Sequence, residues 1–415
     1  MSEPNIFDDL LSKKSLFKNK EILRHDHSPS LLPHRDEEIS KISYNLVEAL
    51  YGHIPSNMTL YGVTGAGKTA VTSHVCQHLE EKGRQKDRSV ETIMVNCRQI
   101  DTQYRVLTFI GNSLLEAHEA EEIPFTGWPT DRVMRELVKR MDKREGVFII
   151  VLDEIDHLVR KVGDDLLYNL TNINSMLKVS RACVIGISND LKFTDFLDPR
   201  VKSRLGQLDI LFKPYDAGQL QDILRQRADA ALVPNVLGPG VIELCAALAA
   251  QEHGDARCAL DLLRISTEKA EFAGDEIVES HHVRTAQHQI ESDQIAPVIS
   301  SLPRQQKIVL AAILINESAG LNNIQTGEVY EIYRQACKHI RHNPLTQRRI
   351  SGIIQNLDML GLITARTISR GRYGRTKEIS SSIPKNLEAI SLLTEKEDDM
   401  KPIFEHSYNH QSRLA

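Results

Sequence analysis

The sequence predicts an α/β fold in three parts: a parallel sheet wrapped by helices, then an all-helical unit, then a small basic unit of three helices and a two-stranded ribbon. Three observations predict it. Short, near-continuous apolar runs alternate with longer helical patterns as far as Pro214, they stop there, and positive charge collects after Pro303. A chain of 415 residues is too long for one ordinary core, which agrees with two or three compact domains. The expected boundaries are an arm at 1–30, the sheet domain at 31–214, the helical domain at 215–295, the basic domain at 296–386 and a polar tail at 387–415.

Residues 1 to about 30 mix Lys, Ser, Asn and Asp with few apolar positions and are expected to form a mobile arm. From Pro33 to Gly52, Ile39, Ile42, Leu46, Val47 and Leu50 recur at helical spacing behind the start signal His34, Arg35 and Asp36. The runs MTLYG (Met58 to Gly62), TIMVNC (Thr92 to Cys97), VFIIVLDE (Val147 to Glu154) and ACVIGIS (Ala182 to Ser188) read as strands buried on both faces. Such strands specify a parallel sheet covered by helices, an architecture that gathers ligands at the carboxyl ends of its strands. Residues 216–290 are helical, with Ala- and Leu-rich stretches such as LCAALAAQ (Leu244 to Gln251). The last unit shows helices over Arg304 to Ile315, Thr326 to Ile340 and Gln347 to Leu360, the third opened by Thr346, and then two strands flanking RGRYGRT. That is the winged-helix order. From about Leu387 the periodicity fades and the chain turns polar.

Composition excludes several classes. Mean hydropathy is −0.30 and the longest strong apolar run is VFIIVL, so no segment is expected to cross a bilayer. The N-terminal MSEPNIFDDLLSKK lacks a signal-peptide core, and a cytoplasmic protein without membrane contact is expected. Cys76, Cys97, Cys183, Cys245, Cys258 and Cys337 show no CxxC spacing, which argues for reduced, mostly buried thiols and against a disulfide framework or structural zinc. His25 and His27 around Asp26, and the pair His281 and His282, read as surface polar residues. The formal net charge of −5 conceals an asymmetry. From Pro303 to Ser380 twelve Lys or Arg stand against five Asp or Glu, so that segment carries +7 and the rest of the chain −12. Any polyanion contact therefore belongs to the C-terminal part.

The segment Gly62-Val63-Thr64-Gly65-Ala66-Gly67-Lys68-Thr69 fits GxxxxGK[ST] directly after an apolar strand and before a helical run. Glycines there let backbone N–H groups, through Ala70, turn toward phosphates, with the helix N-terminus adding positive potential. Lys68 is suited to the β and γ phosphates of ATP or ADP, and the Thr69 hydroxyl to Mg²⁺. A turn that only joins strand to helix has no need of the Lys-Thr pair. The strand Val147 to Leu152 ends in Asp153 and Glu154, Asp153 suited to hold Mg²⁺ and Glu154 to polarise attacking water. Acids closing a buried strand also serve as helix caps; the phosphate loop 85 residues earlier favours the metal reading. Asn189 closes the next strand, where an amide reaches the γ-phosphate, although a lone Asn at a strand end is more often a turn former. In the basic unit Arg348 and Arg349 begin the third helix, the one that enters the major groove in helix-turn-helix docking. Arg366, Arg370, Arg372, Arg375 and Lys377 crowd the ribbon with no acid from Thr364 to Lys377, and Tyr373 sits at its tip. A basic hairpin so narrow fits a minor groove.

In this order the residues resemble the AAA+ superfamily, and more narrowly the archaeal replication initiators related to the largest eukaryotic origin-recognition subunit and its helicase-loading cell-division-cycle relative. The stretches that carry the resemblance are LLPHRDEEISKI, NMTLYGVTGAGKT, VNCRQIDTQYRVL, PFTGWPTDRVMREL, LDEIDHLV, GISND, DPRVKSRLG and GDARCALDLLR. With the winged helix they cover nearly all of residues 20–385. The resemblance implies that Pro33, His34 and Arg35 pack on the adenine, with Tyr215 among the nucleotide contacts. It implies that Asn189 is the first sensor and Arg257 the second, bridging the helical lid to the phosphates. Arg204 matches the position of an arginine finger, with Arg200 as its rival because relatives often have Ser-Ser-Leu there. Tyr104 to Trp128 looks like an initiator-specific insertion that touches DNA in the family; its acids Glu116, Glu119, Glu121 and Glu122 leave only edges such as Arg105 for a duplex.

The implied protein is an archaeal, nucleoid-associated initiator that binds ATP or ADP with Mg²⁺, hydrolyses ATP slowly because a lone chain supplies no arginine in trans, and grips origin duplex DNA. Expected partners are a replicative MCM-type helicase and other copies or paralogues of the initiator. A transcription-regulating or signalling ATPase switch with a winged helix shares the phosphate loop and basic ribbon, but has no need of GDARCALDLLR or the insertion. A clamp loader carries no winged helix.

Overall fold

The computed structural model describes residues 15–24, 27, 29, 31–115, 122–321, 324–369, 375–383, 389–394, 400–405 and 408. The expected arm before Ser15, the acids Glu116, Glu119 and Glu121, the ribbon residues Arg370, Arg372 and Tyr373 and most of the tail lie outside them; of Arg375 only the backbone is described. The chain forms two compact units, Met1–Val283 and Arg284–Ala415.

The first unit is built on five parallel strands, β1 (Met58–Gly62), β2 (Val90–Asn96), β3 (Val147–Asp153), β4 (Arg181–Ser188) and β5 (Leu208–Phe212), in the order β2-β3-β4-β1-β5. Side chains alternate across a strand, and the apolar sequence of β3 serves two layers at once. Phe148, Ile150 and Leu152 enter one core together with Val184 and Leu137, while Val147, Ile149 and Val151 enter the other with Leu60 and Val71. Truncating Phe148, which is fully buried, removes about 3–5 kcal/mol of packing. The sequence reading did not include β5. Its Asp209 and Leu211 face solvent at the sheet edge, so a short alternating strand carries no continuous apolar run. The helices that bear on function are α1 (Asp36–Leu46), α2 (Lys68–Gln85), α3 (Gln103–Ser113), α4 (Thr130–Arg144), α5 (Ile155–Val162), α6 (Asp165–Thr171) and α7 (Pro199–Leu205).

Beyond the sheet the chain turns at Tyr215 into α8 (Ala217–Ala231), α9 (Val241–Gln251) and α10 (Ala256–Ala273). A capping box between Asp216 and Gln219 starts α8. Of the residues expected to be a mobile arm, residues 15–24 pack here instead. Lys18 and Asn19 donate backbone N–H groups to Ala231 O, Val233 N–H bonds to Leu16 O, and Leu23 in a short 3-10 helix (Lys20–Leu23) is fully buried. Within residues 15–24 only Leu16 and Leu23 are buried, so the segment looks polar, and backbone bonding that composition does not display adds to its attachment.

α11 (Ser280–Ser301) begins in the first unit and continues into the second, where it is followed by α12 (Arg304–Ser318), β6 (Ile324–Gln325), α13 (Thr326–His339), α14 (Gln347–Met359) and the ribbon β7 (Ile363–Ser369) and β8 (Arg375–Ser381). The strands form an antiparallel sheet in the order β6-β8-β7. Buried Tyr333 accepts a hydrogen bond from Leu345 N–H at 3.0 Å, fixing the loop before α14, and Asp358 accepts from Ala365 N–H at 3.0 Å, tying the end of α14 to the ribbon. The polar tail contains two short helices, α15 (Ala389–Thr394) and α16 (Lys401–Glu405). Their Leu393, Met400 and Ile403 join the core of this unit, so its packing extends past the boundary expected at 386.

Candidate nucleotide site and basic ribbon

Adjacency in the sheet assembles the site. Because β3, β4 and β1 are neighbours and parallel, their carboxyl ends bring Asp153, Asn189 and the loop after Gly62 to one edge, where a cavity of about 480 Å³ opens. Thr64, Gly65, Gly67, Lys68, Thr69 and Ala70 line it, as do Asp153, Glu154, Asn189, Pro33, Tyr215 and Arg257. Val63 flanks the loop and accepts from Lys68, while Ala66 is buried beneath it.

Lys68 is 5% exposed, and its ammonium donates to three neutral oxygens: Gly62 O at 2.9 Å, Val63 O at 2.8 Å and Asn189 Oδ1 at 2.8 Å. Burial lowers its pKa to about 8, with Asp153 acting in the opposite sense and Arg257 reinforcing the fall. The Thr69 hydroxyl donates to Asp153 Oδ2 at 2.8 Å. Glu154 follows with φ 54°, its N–H on Asp153 Oδ1 at 2.9 Å. This left-handed residue turns the chain sharply from β3 into α5, and Glu154 is among the residues that line the cavity. Gly67 lies at φ 87°, and a Cβ there would come within 2.8 Å of the Tyr215 hydroxyl, so glycine is required at this point of the loop.

His34 and Arg35 do not line the cavity. His34 bonds Asp222 on α8 through Nε2 at 2.9 Å. Arg35 is buried: it stacks at 4.0 Å on Tyr215, whose hydroxyl accepts from Nε at 3.0 Å, and its terminal nitrogens reach Glu38 and Lys213 O. Arginine provides five donors in a planar fork, which is why it can fasten the turn between sheet and helical domain from three sides. The wall beside Pro33 comes instead from residues the sequence reading missed. These are His27, Pro29, Leu31 and Leu32 from the N-terminal segment, with Ile223, Arg227 and Leu260 from the helices. Arg227 is 8% exposed on the apolar face of α8 and donates to Ile22 O at 3.3 Å and His27 O at 3.2 Å. An arginine in phase with Leu220, Ile223, Leu224 and Ala231 is the signal that marks it.

Arg204 and Arg200 are exposed on α7, away from this cavity. Arg204 bonds Asn172, Arg200 is forked onto Asp198, and both approach the Tyr168 ring. Arg105 is paired with Asp101 at 3.6 Å on α3. The segment after α3 is held by Tyr104, whose hydroxyl donates to Pro124 O, and by Asn112, which bonds Ile123 twice. Among the histidines read as surface polar, His282 is buried: its Nδ1 accepts from Glu279 N–H and its Nε2 meets Asp275 at 3.0 Å. With both ring nitrogens engaged it serves as a cap for the loop before α11.

In the second unit Arg348 and Arg349 are exposed in the first turn of α14. Ribbon register pairs Arg366 with Glu378 and Thr367 with Lys377, which puts Arg366 and Lys377 on opposite faces.

Residues 31–185 match the AAA ATPase domain family, residues 221–288 the Cdc6 AAA+ ATPase-type lid domain, and residues 297–388 the Cdc6 C-terminal winged helix domain. The chain is 52% identical over 381 residues to the ORC1-type DNA replication protein 1 of Methanosarcina acetivorans, covering 91% of each chain. It is 51% identical to the ORC1-type DNA replication protein of Pyrococcus horikoshii, over 91% of this chain and 90% of that one. A similar solved structure is that of the Aeropyrum pernix ORC1 protein in complex with DNA, with a TM-score of 0.75 and 43% identity over 92% of this chain and 98% of that one.

Proposed function

The chain belongs to the ORC1-type DNA replication protein family, and on that premise we propose that it binds ATP or ADP with Mg²⁺, hydrolyses ATP slowly, and uses nucleotide state to control its grip on origin duplex and its recruitment of an MCM-type helicase. The observation that carries the nucleotide reading is the convergence of Lys68, Thr69, Asp153 and Asn189 at one edge of the sheet. A buried ammonium whose acceptors are neutral oxygens is a cation available to an anion. The Thr69 hydroxyl and Asp153 carboxylate offer the hard oxygens Mg²⁺ prefers.

Bound Mg²⁺ would supply charge neutralisation at the phosphates. Lys68 exchanges its carbonyl partners for phosphate oxygens, the loop amides from Thr64 to Ala70 surround the phosphates, and Arg257 reaches them from α10 with a fork that stays charged. Glu154 polarises the attacking water and Asn189 orients it. The exposed position of Arg204, or of Arg200, suits a finger for the nucleotide of another copy or paralogue. A chain without that neighbour lacks one transition-state charge, which supports slow turnover.

That the Aeropyrum pernix relative is solved in complex with DNA supports duplex binding by this chain. We assign the contact to Arg348 and Arg349 in the major groove and to the ribbon cations Arg366, Arg370, Arg372, Arg375 and Lys377, with Tyr373, in the minor groove. Arg105 on α3 is a further candidate. The test is Lys68→Ala with direct nucleotide and duplex binding. Loss of charge-assisted bonds should weaken ATP about 10- to 100-fold and leave nucleotide-free duplex affinity unchanged. Wild-type ATP affinity in the variant would remove the phosphate-loop assignment.

A further inference from the structure

The helical domain touches the phosphate loop with a negative charge. Asp255 is the N-cap of α10, its Oδ1 accepting the Arg257 N–H at 2.7 Å. The same carboxylate is pressed onto Gly65, at φ 70°: a Cβ built there would lie 1.6 Å from Oδ1 and 2.8 Å from Oδ2, so no side chain fits between them. Ala256 N–H points at Gly65 O across 3.4 Å, placing the first turn of α10 on the loop backbone. Two residues further on, Arg257 lines the cavity with the opposite charge.

Capping does not explain a carboxylate here, since Asn, Ser or Thr would cap α10 about as well. What the carboxylate adds is a negative charge pressed against a loop suited to anions, close enough to act on the Lys68 ammonium as well. We propose that Asp255 is a charge gate on the phosphate loop, a positioning residue that weakens nucleotide binding in proportion to phosphate charge. The inference rests on the nucleotide reading above. Because the first turn of α10 fixes the carboxylate, any displacement of the helical domain changes the repulsion, and nucleotide occupancy and domain position become reciprocally linked.

The experiment measures affinities and release rates of adenosine, AMP, ADP and ATP for the full-length wild type, Asp255→Asn and Asp255→Ala. Asparagine keeps the cap and removes the charge. The expected result for Asp255→Asn is an ATP affinity higher by on the order of tenfold, a smaller gain for ADP, a smaller one again for AMP, and none for adenosine. Asp255→Ala should show the same ordering together with a lower melting temperature from the lost cap. An equal gain for adenosine and ATP, or unchanged or weaker ATP binding by Asp255→Asn, overturns the gate. A wild type that binds neither ATP nor ADP overturns the nucleotide reading itself and is a separate outcome.

Discussion

Glu154 concentrates the chemistry of the site in one backbone turn. Its left-handed conformation ends β3 abruptly and leaves Glu154 in the cavity lining, while its neighbour Asp153 is engaged by Thr69. Glu154→Gln keeps the side-chain shape and removes the base, so ATP affinity should stay within about twofold and single-turnover hydrolysis should fall about 10²- to 10⁴-fold. Hydrolysis at the wild-type rate would reduce Glu154 to a helix-starting residue. At this scale the sequence is informative where a motif fixes spacing, as at Lys68 and Thr69. It is uninformative where function depends on side-chain direction. Arg35 belongs to the stretch LLPHRDEEISKI and yet faces Tyr215 and Glu38, because its neighbour His34 adopts φ 62° and the chain turns between them.

Elements carry the next level. The ribbon was legible in the sequence from its charge, and its register adds that Arg366 and Lys377 occupy different faces. If both meet phosphates, Arg366→Ala and Lys377→Ala should each weaken duplex binding and lower the salt slope of log K by about 0.9. An unchanged slope in both variants would move the contact to α14, where Arg348 and Arg349 are exposed. The strands β1 to β4 were legible because both of their faces are buried. The edge strand β5 was not, since half of its residues meet solvent. The packing of residues 15–24 is not legible in the sequence for a related reason. Its attachment runs through main-chain bonds to Ala231 and Val233 and through Arg227, and side-chain hydropathy reports none of these.

Across the whole molecule, the scattered cysteines share one physical state. Burial pushes the Cys76, Cys97 and Cys245 thiols up to about 12 and raises Cys183 and Cys337, while Cys258 reaches about 12 through burial and its contact with Glu252. All six are free thiols. At pH 7.5 the thiolate fraction at a pKa of about 12 is roughly 3×10⁻⁵, and the raised Cys183 and Cys337 are likewise held as thiols, so alkylation of the folded protein should be slow and reach six groups in denaturant without reductant. Fast labelling of a folded-state thiol, or fewer than six groups after unfolding, contradicts this arrangement. The order of domains along the chain was legible from where apolar runs stop and positive charge begins, whereas the docking of the tail through Leu393, Met400 and Ile403 was not, because its apolar residues fall in short clusters too brief to show a period. The double duty of β3 has a consequence for how this protein tolerates genetic change. Its residues supply two opposed cores in strict alternation and end at the site itself. Substitutions along β3 therefore have no neutral face to land on, whereas β5 offers drift every second residue, and the two strands will accumulate variation at different tempos within one sheet.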